Sequence, residues 1–220
     1  MTLIEQLNAV IIAIAKDISN NSGGSGSTDN SDITVLLPRK IGASQKWYQS
    51  GLRHGAEYPY PYIISSSSSY TSGSQYFIPI TALEDATITS LEIYCITAQA
   101  NATISLGIYG SDSNNDVAEP LFTSDPIACS TAGAKNAPCN VQITKGEVYW
   151  LSSLPIGAPT PASFHRNTTD SLFAIKGAVS ANFASVIAYY TTGNTGMTQS
   201  APTSKVDINT HAPRVLFITG

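Results

Sequence analysis

Charged residues are scarce in this chain, making up 12% of its 220 residues, against about 25% in an ordinary soluble domain. The net charge is −4, and the 11 lysines and arginines form no basic cluster. Nucleic-acid binding requires such a cluster, so no nucleic-acid partner is predicted. Threonine, serine, alanine, asparagine and glycine replace the charged residues, a mixture that favours β-structure with long turns.

Cysteine is also scarce. The chain has three cysteines, and an odd number argues against a secreted disulfide framework. Cys95 shares one face of a strand-like run with Leu91 and Ile93, which predicts a small buried hydrophobe. Cys129 and Cys139 flank a loop and can pair if the protein meets an oxidising medium. Their spacing and lack of nearby histidines do not fit a zinc site. No metal or other cofactor is predicted.

Motifs of known catalytic chemistry are missing, including GxSxG, the phosphate-binding loop, HExxH and CxxC. His54, His165 and His211 are far apart in the sequence, and a lone loop histidine is far more often solvated than catalytic. Most carboxylates fall in polar loops, where they cap turns. Folding can still assemble a pair of glycosidase carboxylates. The prediction is a protein that is not an enzyme.

Long apolar runs are missing except at the start, from Leu3 to Ile18. A secretory signal needs a positive segment before its apolar run, whereas Glu5 is negative. A membrane span needs about 20 mostly apolar residues, and Lys16 and Asp17 end this run too early. The sequence therefore predicts neither a signal peptide nor membrane insertion.

The apolar residues of this run follow steps of three and four, the pattern of a coiled coil. Isoleucine at one core position and leucine or isoleucine at the other favours more than two helices. The seam consists of Ile4, Leu7, Ile11, Ile14 and Ile18. A Gly/Ser-rich linker at residues 20–32 separates it from the rest of the chain. We predict an α-helix at residues 1–19 that trimerises, with docking into another protein as the alternative.

Past the linker, residues 33–74 are predicted to be an extended arm and a Tyr-rich loop, and residues 75–220 a β-domain. Strands are predicted at 75–80, 87–97, 102–109, 141–144, 147–153, 172–177, 184–190 and 214–219, with a polar loop at 110–120. Strands without intervening helices pair antiparallel. The predicted fold class is mainly β, an antiparallel, jelly-roll-like β-sandwich preceded by the short helix and flexible linker.

Alternation within the predicted strands identifies the core. In Ala102–Tyr109, Ile104, Leu106 and Ile108 share one face and Tyr109 lies on the other. Trp150 is predicted to be a core residue because it shares a face with Val148.

Aromatic residues are concentrated in the loop before these strands, and exposed aromatic rings suit sugars or protein partners. The candidate binding residues are Trp47, Tyr48, Tyr58, Tyr60 and Tyr62. Prolines between the last three stiffen an extended backbone. For Trp47 and Tyr48, packing against the domain edge or a subunit interface is the favoured interpretation.

Four segments together resemble a β-domain of tailed-bacteriophage virion proteins, especially tail fibres. They are Tyr76–Pro79, Ile88–Ile93, Leu106–Tyr109 and Gly146–Leu151. The similarity covers about residues 75–164, and the opening "LIEQLNAVI" is similar to helices that begin fibre and head-appendage proteins. The loop between Cys129 and Cys139 and the strands after Leu172 depart from the pattern.

The resemblance implies a trimeric, non-enzymatic structural protein of the virion, assembled in the host cytoplasm. Its expected partners are copies of itself, other virion proteins through the N-terminal helix, and a host surface glycan or protein. A tail fibre that takes part in host recognition is the favoured function. A capsid decoration or cement protein, or a head fibre, is the alternative. A carbohydrate-binding module or small polysaccharide-degrading enzyme is the second alternative. The resemblance carries over no catalytic residues.

Overall fold

A computed structural model of the chain describes residues 47–55, 65–157, 161–168, 188–204, 206–208 and 211–220, all within one compact unit of residues 46–220. These residues are mainly β, paired antiparallel, which confirms the predicted class. They contain no helix, and so none that could span a membrane. Outside the described residues lie the predicted helix with its seam, the linker, Tyr58, Tyr60, Tyr62 and the predicted strand 172–177.

The first sheet has the strand order β1-β14-β4-β10-β13, with β8 paired to β4 and β2 paired to β10. Its strands are β1 (Arg53–Gly55), β2 (Ser65–Ser69), β4 (Ala86–Thr97), β8 (Gly133–Ile143), β10 (Ser163–Thr168), β13 (His211–Pro213) and β14 (Val215–Thr219). The longest pairing joins β4 to β8 and runs from Ala86 opposite Ile143 to Cys95 opposite Gly133.

The second sheet has the order β12-β11-β3-β9-β5-β6, with β7 paired to β5. Its strands are β3 (Gln75–Thr81), β5 (Thr103–Ser111), β6 (Val117–Thr123), β7 (Ile127–Ala128), β9 (Val148–Ile156), β11 (Ala188–Thr191) and β12 (Val206–Ile208). Strands β3, β9 and β5 lie side by side at its centre.

Side chains of both sheets meet in one hydrophobic cluster, the first cluster. Strand β5 contributes Ile104, Leu106 and Ile108, all fully buried, as the alternation predicted. From the first sheet come Ile88, Leu91, Ile93, Cys95 and Phe217. Burying a side chain of this size stabilises the fold by about 1.5–3 kcal/mol, so these residues hold the two sheets together.

The other face of the second sheet is also buried, under a second cluster. It consists of Phe77, Tyr109, Val117, Trp150, Leu154, Tyr189 and Met197. Trp150 stacks on Tyr189 with ring centroids 5.2 Å apart, and Phe77 meets Tyr109 edge to face at the same distance. Trp150 is therefore a core residue as predicted, in a cluster separate from that of its neighbour Leu151.

Several strands depart from the predictions. Two of them, β1 and β2, precede Gln75, where the β-domain was predicted to start. Strand β6 takes up the end of the predicted loop 110–120, β8 begins at Gly133 instead of residue 141, and β10 was not predicted. These segments have no run of alternating large apolar residues, and β2 consists of serine alone, so pairing with neighbouring strands decides their structure.

Candidate binding surface

The segment at residues 192–204, the covering loop, follows β11 and lies over the second cluster. Met197 anchors it, with 9% of its surface exposed. The Met197 methyl carbon lies 2.6 Å from the position that a β-carbon on Gly107 would occupy. The loop can approach β5 this closely because Gly107 has no side chain.

A buried hydrogen-bond network fixes the same loop from beneath. The fully buried Gln75 amide donates to the Tyr109 hydroxyl at 2.9 Å and to Ser152 Oγ at 3.0 Å. Its oxygen accepts the backbone N–H of Thr198 at 3.0 Å. Burial raises the pKa of Tyr109, so its hydroxyl stays protonated and donates to the Thr198 carbonyl at 2.6 Å. The network orders the loop without any charged group.

Asn194 attaches the start of the covering loop to the turn before β3. Its backbone N–H and its side-chain amide both donate to the Gly73 carbonyl, at 2.9 and 3.1 Å. The same amide donates to Thr191 Oγ1 at 2.9 Å. Gly73 has a φ of 77°, which favours glycine.

A cavity of about 220 Å³ opens between the covering loop and the start of β12. Hydroxyl and amide side chains dominate its lining, and none of the lining residues that the structure describes is charged. They are Thr191, Thr192, Asn194, Thr198, Pro202, Thr203, Ser204 and Val206. Such groups both donate and accept hydrogen bonds, so the cavity suits a neutral ligand with many hydroxyl groups.

The outward face of the first sheet carries a second group of polar and aromatic side chains. Tyr94 is 47% exposed, and its ring lies 5.0 Å from that of His165. Burial, followed by the positive charge of Arg214, lowers the pKa of His165. Nearby on β4, Glu92 accepts two hydrogen bonds from the Arg53 guanidinium, at 2.5 and 2.8 Å. Among the described aromatic residues, Tyr94 is the most exposed and so the most open to a partner.

Two of the five aromatic residues predicted to bind, Trp47 and Tyr48, lie in the described part of the chain. The Glu84 carboxylate accepts their backbone N–H groups at 3.1 and 2.8 Å. Tyr48 is only 6% exposed, and its ring packs edge to face on Phe217 at 5.3 Å. Its hydroxyl accepts the Leu83 N–H at 3.0 Å. The structure thus places Tyr48 in the core, where no external ligand can reach its ring.

Histidine, cysteine and carboxylate side chains were searched for in the sequence as possible ligands or partners. Among the described residues, no three histidine, cysteine, aspartate or glutamate side chains are placed to hold a metal ion. Cys129 and Cys139 are both free thiols. Cys139 donates to the Ile88 carbonyl at 3.5 Å, midway along β8.

The covering loop was missed by the sequence analysis. Its sequence gives little indication of packing, because a single methionine lies among threonine, glycine and serine residues. The positions that recognise it, Gln75 and Gly107, lie far away in the chain, so only the fold brings them together.

No protein-family model matches the sequence, and a search of curated proteins finds no significant match.

Proposed function

We propose that this chain is a non-enzymatic structural protein of a tailed-phage virion, a trimeric fibre whose β-domain recognises a host surface glycan. In this proposal the two sheets form a jelly-roll-like β-sandwich, preceded by the N-terminal helix as trimer seam. Sharing of the first cluster by both sheets supports the sandwich. The observation that carries the recognition role is the cavity beside the covering loop, whose described lining is rich in hydroxyl groups.

Positions of the four phage-like segments support the virion assignment. Tyr76–Pro79, Leu106–Tyr109 and Gly146–Leu151 lie on or lead into β3, β5 and β9, the three adjacent central strands of the second sheet. Ile88–Ile93 lies on β4, the strand of the first sheet that pairs with β8 and β14. The segments thus belong to one structural unit. The inferred function rests on analogy, because one fold can serve many functions.

Chemistry of the cavity supports a neutral saccharide as the ligand. Sugar hydroxyls need paired donors and acceptors, which threonine and serine hydroxyls and the Asn194 amide supply. The loop is ordered before binding by Gln75 and Met197, so little entropy is lost on complex formation. A trimer multiplies the weak affinity of each site.

Binding of the full-length protein to an array of bacterial surface glycans tests this role. Replacing Thr192 and Thr203, both exposed and lining the cavity, with valine removes two hydroxyls at constant shape. We expect each substitution to weaken binding by about 0.5–1.5 kcal/mol. Thr195→Val is the matched control, since Thr195 is exposed in the same loop but does not line the cavity. Equal binding by all variants would contradict a ligand at this cavity.

Assembly and position on the particle are tested separately. Light scattering of the full chain should give three chains per particle, and Ile11→Asp with Ile14→Asp should reduce it to one. Antibody against the β-domain should label the tail. Labelling of the head would favour the decoration-protein alternative.

A further inference from the structure

The cavity beside the covering loop has an apolar wall, formed by Val206 and Pro202. Val206 is 45% exposed, and Pro202 is half-buried. Val206 is the first residue of β12 and lies opposite Tyr190 in the pairing with β11. The backbone before Pro202 is tied to β6, because the Ala201 N–H donates to Glu119 Oε1 at 3.4 Å. These contacts fix the backbone that carries both apolar side chains.

This apolar wall is aliphatic. Among the described residues that line the cavity, none is aromatic, so the cavity offers no flat ring on which the face of a sugar can stack. A valine methyl group and a proline ring are small apolar surfaces, and a methyl group that packs against them removes apolar area from water. The wall therefore suits a methyl group of the ligand better than the face of a sugar ring.

The polar wall of the same cavity has a definite balance of donors and acceptors. Asn194 donates both of its amide protons within the protein, at 3.1 and 2.9 Å, which leaves only its side-chain oxygen to accept from a ligand. Thr192, Thr203 and Ser204 are exposed, and their hydroxyls both donate and accept. A matching ligand carries a hydroxyl or N–H group that faces Asn194 and further hydroxyl groups that face the other three residues.

We propose that the cavity binds a neutral sugar that carries a methyl group, with the methyl group against Val206 and Pro202 and the hydroxyl groups against the polar wall. Both 6-deoxyhexoses and N-acetylated hexosamines have this chemistry, because each combines a methyl group with several hydroxyl groups. This specificity rests on the proposed recognition of a glycan by the β-domain, and it names the class of sugar that is recognised.

The size of the expected preference follows from the apolar wall. In a sugar with a hydroxymethyl group in place of the methyl group, the added hydroxyl meets Val206 and Pro202, whose side chains cannot bond it. That hydroxyl loses water without gaining a partner. Because Val206 is only half-buried, the main difference is burial of one methyl group, which corresponds to a preference of about four-fold.

Saturation-transfer NMR of the full-length protein with matched pairs of free sugars tests this specificity. L-rhamnose is paired with L-mannose, L-fucose with L-galactose, and N-acetylglucosamine with glucose. We expect the methyl-bearing member of at least one pair to bind about four-fold more tightly, with the strongest saturation on its methyl protons. A preference in the first two pairs identifies a 6-deoxyhexose, and a preference in the third identifies an N-acetylated sugar.

Val206→Thr replaces one methyl group by a hydroxyl at nearly constant shape, and threonine also favours β-strands. The variant should bind both members of the preferred pair about equally. Leu121→Thr is the matched control and should keep the preference, because Leu121 is 50% exposed on β6 but does not line the cavity. Equal binding of both members of every pair by the wild type, or a preference that survives Val206→Thr, would overturn the methyl site while the glycan role stands. Failure of every free sugar to bind would also overturn the site, whereas failure on the glycan array contradicts recognition itself.

Discussion

Met197 lies against Gly107 so closely that its methyl carbon is 2.6 Å from where a β-carbon on that glycine would be. The Phe122 carbonyl oxygen is 3.0 Å from the same position, and Tyr109 Cε2 is 3.1 Å from it. This contact joins the covering loop to β5 and closes the second cluster. The side of the second sheet that faces away from the first cluster is thereby buried.

Gly107→Ala should destabilise the protein by about 1–3 kcal/mol, the usual cost of overpacking. The Met197 side chain can turn away, but the Phe122 carbonyl belongs to the backbone of β6 and cannot. Gly110→Ala is the control, since on the same strand its nearest atom is 3.9 Å away. Urea unfolding followed by tryptophan fluorescence measures both variants. A stability of Gly107→Ala equal to that of Gly110→Ala would mean that the loop does not rest on this glycine.

Gly73→Ala should destabilise more than Gly51→Ala, although both glycines have a φ of 77°. Backbone strain is therefore shared by the two substitutions, at about 1 kcal/mol each. The two substitutions differ in what the added β-carbon contacts. At position 73 it lies 3.0 Å from the Asn194 carbonyl oxygen, whereas at position 51 it meets nothing within 4 Å. Thermal unfolding of both variants gives the comparison. Equal losses would show that the attachment of Asn194 tolerates the added methyl.

Gln75→Leu should cost about 1–3 kcal/mol, since it leaves the buried Ser152 hydroxyl and the half-buried Thr198 N–H without the amide that bonds them. Gln142→Leu is the control, because its amide is exposed and bonds Thr87 Oγ1 at 2.7 Å. Its change should stay within about 0.5 kcal/mol. Amide hydrogen exchange should also quicken at Thr198 in Gln75→Leu. An unchanged exchange rate at Thr198 would mean that Gln75 does not order the covering loop.

The depressed pKa of His165 predicts a loss of stability on the acid side. As pH falls through about 6.5, the unfolded chain takes up the proton before the folded one, so the free energy of unfolding decreases until the folded pKa is passed. His165→Gln should flatten that slope. Titration of the His165 ring by NMR should give a midpoint below its ordinary value. A midpoint at or above that value would contradict the influence of burial and Arg214.

Strand predictions succeeded where the alternation of apolar residues in the sequence matches the burial of one strand face in the fold. In β5, the alternation of Ile104, Leu106 and Ile108 reflects burial on one face, and the period of two is a property of the strand itself. Runs such as β3 and β9 are apolar on both faces, so they were recognised as strands but not as the base of a second cluster. The all-serine β2 and the mostly polar β10 carried no such signal, because their pairing depends on neighbours distant in the chain.

Composition and local periodicity determined the mainly β class, the central strands and the inward faces of β4 and β5, since strand alternation and turn residues act over a few positions. The candidate site was decided by contacts between distant segments. The local sequence does not mark Gln75, Gly107 or Met197 as special. Only packing in the fold brings the three together at the covering loop. A folded sheet places side chains by register and not by sequence distance, so local pattern could not show these contacts.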